Sequence, residues 1–539
     1  MKTLITILLL MAASCVMTSM VEAQDLSVQR AIQVEFPTEA GKKYQLQFGG
    51  TVNGPWFDWG GAFEGTGGVA QRVSVTVGQE AGFFRLQVSG EVVLTQFKKD
   101  AINARLAQAI DDFGIPGIAA GIWVGEEEPW LTARGLANLE TKEPLTPDHR
   151  FRIGSASKTF VAMAAMQLIH EGKVRFDDVI TRYLNQEEMD ALSAYNLDAI
   201  TVRMLLRHTS GFANYTSDVP TWFLPYITDR TRVWNNLELL KIANAPAGPD
   251  GTPETVPLFT PGIAWSYSNT NYVLLAIVVE RVTGEFIGTQ LAKRFFEPLG
   301  LMQTRYPIPG ESEIQGDKVS RGYMNWRNML NGETSVPAGL IDVTQYDPSG
   351  VGPAGPLTST VGDLLTWIRN IAHGAELIGD LSLPQINWHY FRAVGVTPNT
   401  WQALDFSYGM GLAHEDDNEN DANYYLIGHR GQISGFDTAM QYLPDQDTGI
   451  VVFCNRTLSN GPGDGPFNPF PTEGWPSNAN EVAVYYIINQ LYPELIASSK
   501  ISDPGSFSGA SVRSLIQSSR SKDAAQPGFR VRPPLTEYP

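Results

Sequence analysis

Cysteine is almost absent. The 539 residues contain two, and Cys15 lies in the N-terminal segment, so cleavage after Ala23 would leave only Cys454 and no intramolecular disulfide. Cys454 sits inside the apolar run IVVFCN and reads as a buried packing residue. Basic residues are also short: 39 Lys and Arg face 57 Asp and Glu, a formal charge of -18. That balance argues against nucleic acid and anionic membrane surfaces as partners, since both require clustered Lys and Arg. The seven histidines are scattered, and there is no HExxH, no paired CxxC and no phosphate-cradling GxxxxGK. The acidic run HEDDNENDAN (414–423) lacks the glycine and distal glutamate of a calcium loop, so it reads as a solvated hairpin loop. No metal and no cofactor is therefore expected.

A long apolar run is missing as well. The longest near the N-terminus, Leu4 to Ala13, is too short to span a bilayer; with Lys2 ahead of it and Val21 and Ala23 before Gln24, residues 1–23 read as a secretory signal. Lipid attachment at Cys15 competes, but Ala12 stands where a leucine is usual. The expected localisation is secreted or periplasmic, with no transmembrane segment once the signal is removed.

What is present is the composition of a globular chain, 43% hydrophobic and 18% charged. The length calls for two or three domains, because single cores stop growing near roughly 250 to 300 residues. Residues 24–93 alternate with period two through Ile32, Val34 and Phe36, Tyr44, Leu46 and Phe48, Val73, Val75 and Val77, and Phe84, Leu86 and Val88. Glycine-rich turns separate these runs, which predicts a small β-sandwich-like module, either a spacer or a recognition unit with Trp56 and Trp59 as a ligand platform. Helix period begins with TQFKKDAINARLAQAIDDFG, closed by Gly114, and a second domain is expected over 95–496. Its last helix reads from NANEVAVYYIINQLYPEL, and residues 497–539 read as a flexible tail.

Three separated motifs carry chemistry. In FRIGSASKTF, Ser155 and Lys158 lie one helical turn apart at the head of an apolar helix. A serine hydroxyl needs a base, and a lysine serves only when burial lowers its pKa. The spacing by itself is cheap, since Ser519 and Lys522 repeat it in the polar tail. In PGIAWSYSNTNYVLL, Tyr267 and Asn269 precede a second apolar helix: a tyrosine can shuttle a proton, and a carboxamide can hold a substrate amide. Tyr323 with Asn325 is a decoy without the helix. The segment YYLIGHRGQISGFDTAMQYLPDQDTGIVVFCN reads as two strands joined by a turn around Pro444 to Thr448. Alternation puts His429 and Gly431 on one face and Arg430 on the other, and Gly431 would let a substrate backbone approach. The Gln432 amide could then pair with the Ser155 amide as an oxyanion hole.

With these motifs in order, together with LLRHTSGF, FFEPLGL and GPLTSTVGDLLTW, the chain resembles the serine β-lactamase and DD-peptidase superfamily over about 400 residues, and more closely its class C-like, D-alanyl-D-alanine carboxypeptidase branch. The resemblance implies an α+β fold: an antiparallel sheet flanked by helices, with an inserted helical lobe from about residue 160 to 339, preceded here by the small all-β module. It implies Ser155 as nucleophile, Lys158 as its activating partner, Tyr267 as proton relay and Asn269 as substrate-orienting group. His429 and Gly431 would replace a Lys-Thr-Gly strand motif in substrate binding, with the Ser155 and Gln432 amides as oxyanion hole. A histidine, mostly neutral at pH 7, in place of a fixed cation shifts the expectation away from efficient β-lactamase action. The expected activity is a D-alanyl-D-alanine carboxypeptidase-like serine hydrolase acting on a small peptide, amide or ester. A carboxylesterase, a β-lactamase and a catalytically silent wall-binding protein are the alternatives.

Overall fold

The computed structural model describes residues 94–246, 253, 255–324, 339–373, 391–397, 400–416, 425–457 and 479–492, with six strand segments ahead of them. The expected signal at 1–23, Trp59 of the suggested platform, Asn325 of the decoy pair and the 497–539 tail with Ser519 and Lys522 lie outside the described residues.

The described segments before residue 94 are strands β1 (Arg30–Pro37), β2 (Lys43–Gly49), β3 (Trp56–Asp58), β4 (Phe63–Glu64), β5 (Val69–Thr76) and β6 (Phe83–Ser89). Strands β1, β2, β5 and β6 fall on the alternating runs, and β3 and β4 lie between them. Strand β1 pairs antiparallel with β5, and β2 pairs antiparallel with β3, β4 and β6. Helix α1 (Gln96–Phe113) starts on Thr95, whose hydroxyl accepts from Lys98 N, and ends at Gly114, whose left-handed φ of 60° lets its N–H reach back to Ile110 O.

A nine-stranded sheet follows, antiparallel at every pairing. Its N-terminal strands are β7 (Gly117–Val124), β8 (Trp130–Asn138) and β9 (Glu143–Pro144). The short strand β10 (Phe151–Arg152) leads to α2 (Ser157–His170) and the helices α3 (Gln186–Asp190), α4 (Val202–Arg207), α5 (Leu224–Thr228), α6 (Asn236–Asn244), α7 (Asn269–Thr283) and α8 (Ile287–Leu291). Three short strands, β11 (Tyr323–Met324), β12 (Ile341–Asp342) and β13 (Thr358–Ser359), precede α9 (Val361–His373). The chain then re-enters the sheet through β14 (Phe391–Thr397), β15 (Thr400–Gly409), β16 (Leu412–Asp416), β17 (Tyr425–Ile433), β18 (Phe436–Leu443) and β19 (Thr448–Cys454), and closes with β20 (Arg456–Thr457) and α10 (Ala479–Leu491). The order is β14-β15-β16-β17-β18-β19-β7-β8-β9, so β19 sits beside β7 and joins the two ends of the domain.

Both faces of this sheet are covered, which is why its central strands read as unbroken apolar runs. Ile118, Ala120 and Ile122 of β7 with Ile450, Val452 and Cys454 of β19 face α1 and α10; Ala119 and Trp123 with Val451 and Phe453 face α2, α7 and α9. Cys454 is buried, as its apolar setting implied. Helix α2 is apolar nearly all round, and residues 157–166 are all buried, so it is the central post between sheet and helical lobe. Arg152 locks the approach to it: fully buried, it donates to the carbonyls of Ser312 at 2.7 Å and Tyr346 at 2.8 Å.

One expectation is corrected. The segment around His429 is three strands, not two, because the chain turns at Ser434 and Gly435, the glycine at φ 84°. A two-residue turn needs that left-handed position, and Ser-Gly supplies it. The inserted lobe also differs in detail: α2 belongs to the core, and α9, beyond residue 339, lies against β7 and β19 through Leu365 while its Trp367 stacks on Phe160 of α2.

Candidate active site

Gly154, at φ 51°, bends the chain after β10 into a single 3-10 turn, Gly154–Ala156, from which α2 starts. Ser155 is the one half-exposed residue of this stretch, placed ahead of the positive end of α2. Lys158 is completely buried, and its Nζ lies 2.9 Å from Ser155 Oγ and 2.8 Å from the carbonyl of Ala354. The rings of Tyr267 and Tyr272 approach the same nitrogen, with centroids at 4.9 and 5.5 Å. Those faces favour a cation by at most about 2 kcal/mol. Desolvation of an ammonium costs several kcal/mol, so it wins. Burial accordingly holds the Lys158 pKa well below its ordinary 10.5, and the amine is a base in reach of a serine hydroxyl.

Tyr267 stands just before α7, whose first residue is Asn269. Burial raises the Tyr267 pKa, an effect that its interaction with the Ser155 hydroxyl opposes. The two hydroxyls face each other without the geometry of a formed hydrogen bond. Tyr267 is therefore a neutral phenol, a proton donor rather than a tyrosinate. Asn269 Nδ2 donates to Thr216 Oγ1 at 2.9 Å; its Oδ1, also buried, has no hydrogen-bond partner among the described residues. The carbonyl end is thus the one left to accept from a substrate N–H.

The N-cap residue of α7, Ser268, does not cap with its own side chain. Its N–H donates to His208 Nδ1 at 3.2 Å, and the Asn269 N–H donates to Asn214 Oδ1 at 3.0 Å. The motif LLRHTSGF therefore supplies, with Asn214, a cap delivered from another segment.

Strand β17 brings His429, Gly431 and Gln432. His429 pairs in register with Met440, on the α2 side of the sheet, and Arg430 with Ala439 on the α1 side, so the expected alternation is present. The His429 ring is buried, with its Nδ1 donating to the carbonyl of Arg430 and its Nε2 accepting from Tyr408 Oη at 3.0 Å. Burial, aided by the Lys158 charge, pushes its pKa down to about 3. Both ring nitrogens are occupied and the ring is neutral. Gly431 is needed for a different neighbour than expected: a Cβ there would lie 1.9 Å from the carbonyl oxygen of Ile153, so the chain's own turn, not a substrate, makes the close approach. A Cβ on Gly154 would lie 2.8 Å from Gln432 N, which puts that amide beside the backbone of Ser155.

Ser155, Lys158, Tyr267, Asn269, His429, Gly431 and Gln432 thus converge where α2, α7 and β17 meet. Tyr323 does not join them: its hydroxyl accepts from Leu139 N at 2.8 Å as a structural contact. Three participants escaped the sequence reading. Tyr408 lies in a strand run with no local signature; the Ala354 carbonyl is a backbone group; His208 sits in a motif quoted without a role. Only the His-Thr-Ser-Gly turn signal could have pointed to the last.

Comparison with known proteins bears on the family and the fold. The chain is 24% identical over 324 residues to penicillin-binding protein 4* of Bacillus subtilis (strain 168), spanning 60% of this chain and 64%, less than two thirds, of that protein. It is 28% identical over 284 residues to esterase EstB of Burkholderia gladioli, 49% of this chain and 67% of that one. A solved D-stereospecific amidohydrolase from Streptomyces sp. shares its fold with a TM-score of 0.52 at 28% identity, covering 66% of this chain and 94% of that one. The sequence model of the family described as Beta-lactamase matches residues 102–467, the stretch that runs from α1 past β19 and contains every group of the site, and the chain belongs to that family.

Proposed function

We propose that this family member is an exported serine hydrolase that works through an acyl-serine intermediate, with D-alanyl-D-alanine carboxypeptidase-like cleavage of peptides ending in D-amino acids as its main activity. The observation that carries the reading is the 2.9 Å contact between Ser155 Oγ and a fully buried Lys158 amine. Export rests on the 1–23 segment.

In the proposed reaction the Ser155 proton passes to neutral Lys158 as the serine oxygen bonds to the substrate carbonyl carbon. The charge on the carbonyl oxygen falls at the amides of Ser155 and Gln432. Collapse breaks the bond to the leaving group, which takes the Tyr267 hydroxyl proton, and the Lys158 ammonium re-protonates the phenolate. Water then adds to the acyl ester and returns Ser155. Asn269 Oδ1 accepts from the substrate amide N–H during both steps.

A second reading, an amidase or esterase whose donor has no free carboxylate, is favoured by one observation: neither nitrogen of His429 is free to meet a carboxylate. The names of the Streptomyces amidohydrolase and of esterase EstB fit it. Intact mass after exposure to a penicillin and to p-nitrophenyl acetate is expected to show a Ser155 adduct on wild type and none on Ser155→Ala. Relative turnover of D-alanyl-D-alanine, D-alanine amide and the ester then ranks the readings. Equal labelling of wild type and Ser155→Ala would sink the acyl-serine mechanism.

A further inference from the structure

The imidazole of His208 is fully buried between the α4 and α7 segments and touches neither Ser155 nor Lys158 through a hydrogen bond. Its hydrogen bonds assign the tautomer, with the proton on Nε2, a buried atom that has no hydrogen-bond partner among the described residues. The Ser268 N–H is a backbone group that can only donate, so Nδ1, which accepts it at 3.2 Å, carries no proton. Asn271 must then present its Nδ2–H₂ to the same atom, at 2.9 Å, and its Oδ1 accepts from Ser210 Oγ at 2.6 Å. One lone pair thereby gathers the backbone on the C-terminal side of Tyr267 and the Asn271 side chain in the first turn of α7.

The ring itself forms a wall for the same residue. His208 and Tyr267 have centroids 4.5 Å apart at 43°, and the His208 ring is also packed against Tyr272 and Tyr408 at 5.2 and 4.7 Å. The residue holds a left-handed φ of 58°, which glycine adopts most readily and which Asn, Asp and His adopt more readily than other side chains. Burial, with Lys158 and His429 adding to it, holds the imidazole neutral well below its ordinary range, so the Nδ1 lone pair is always available.

We propose that His208 is a positioning residue for the proton relay: through Nδ1 it fixes the backbone at Ser268, and through its ring face it fixes the Tyr267 ring, so that the phenol faces Ser155. The proposal rests on the reading of Tyr267 as the relay.

The backbone preference provides the test. His208→Gly and His208→Asn both tolerate the left-handed φ, but only the asparagine places a carbonyl oxygen where Nδ1 lies. With D-alanyl-D-alanine or D-alanine amide, whose leaving amine must be protonated, and active enzyme counted by Ser155 labelling, His208→Gly is expected to lose kcat by about 30- to 100-fold, within the range of a misplaced general acid, with KM changed by less than about threefold. His208→Asn recovers most of that loss, and free imidazole added to His208→Gly recovers part of it. Equal losses in the two variants, tracking their thermal midpoints and untouched by imidazole, would reduce His208 to a stability residue and overturn the proposal; so would a wild-type kcat in His208→Gly. Tyr267→Phe run alongside separates the two levels. If that variant keeps the wild-type rate, the relay reading itself fails. If it loses rate while His208→Gly does not, only the positioning role fails. Nitrogen NMR of the wild-type imidazole reads the tautomer independently of turnover: a protonated Nδ1 would contradict the geometry.

Discussion

Around the Lys158 amine, attraction and desolvation pull in opposite directions, and their balance sets both reactivity and stability. The unfolded chain holds this lysine protonated up to its ordinary 10.5, whereas the folded one releases the proton well below that. Between the two values the unfolded state binds more protons, so unfolding free energy rises with pH. The slope belonging to this one group is at most about 1.4 kcal/mol per pH unit. Urea unfolding of wild type and Lys158→Met at several pH values between 7 and 10 is therefore expected to show wild type gaining on the variant as pH rises; a constant difference would mean that the lysine is charged in the fold. The same titration sets the acid limb of activity, because only the neutral amine can take the Ser155 proton. His429, held near 3 by burial, lies too low to contribute to that limb above about pH 5. Lys158→Met is expected to slow Ser155 acylation by 10²-fold or more, on the order expected for a lost general base.

The element that decides the geometry is the crossing of β17 over the Gly154–Ala156 turn. Two glycines meet there, each with backbone of the other segment where its Cβ would be: Gly431 against Ile153 O, and Gly154 against Gln432 N. Backbone cannot move aside as a flexible side chain can. Gly431→Ala must push the strand off the turn, widening the separation between the Ser155 and Gln432 amides, and overpacking of this kind costs about 1 to 3 kcal/mol or more. The expected result is a lowered thermal midpoint with a loss of acylation rate larger than the loss of folded protein accounts for. An active, normally labelled Gly431→Ala enzyme would show that the two amides are not held by this contact. At the other end of the site α7 is similarly dependent on a neighbour, since its first N–H groups are satisfied by His208 and Asn214 rather than by its own cap.

At the scale of the whole domain, the sheet joins the start of the α1–α10 segment to its end. Strand β7 from the start of the domain pairs with β19 near its end, and α1 packs against α10 over the same face, where Arg105 lies over the Tyr486 ring at 5.4 Å and Thr448 Oγ1 bonds Tyr492 Oη at 2.5 Å. A chain ending before Ala479 would uncover Ile450, Val452, Ala439 and Leu443 together. Each buried Ile, Val or Leu is worth about 1.5 to 3 kcal/mol, so Ile450, Val452 and Leu443 exposed at once take a large part of the stability of a domain. Such a truncated chain is expected to be insoluble or to bind a hydrophobic dye and lose cooperative unfolding. A soluble truncated protein with the wild-type midpoint would contradict the role given to α10.

The sequence by itself determined the local elements and singled out the residues that meet at the candidate site. Helix α1 with its Thr95 and Gly114 caps, the apolar helices after Ser155 and Asn269, and the alternation of His429 with Arg430 follow from periodicity and from cap and turn chemistry, which act over a few residues. The tertiary structure decided what depends on distant segments meeting. It split the His429 run into β17 and β18 at Ser434 and Gly435, gave Gly431 the Ile153 carbonyl as its neighbour, and brought Tyr408 onto the Nε2 of His429. It also enclosed Lys158 among Ala354, Tyr267 and Tyr272. A lysine's spacing from a serine is written in the sequence, but its basicity depends on how much water the fold leaves around it, and that is a property of packing.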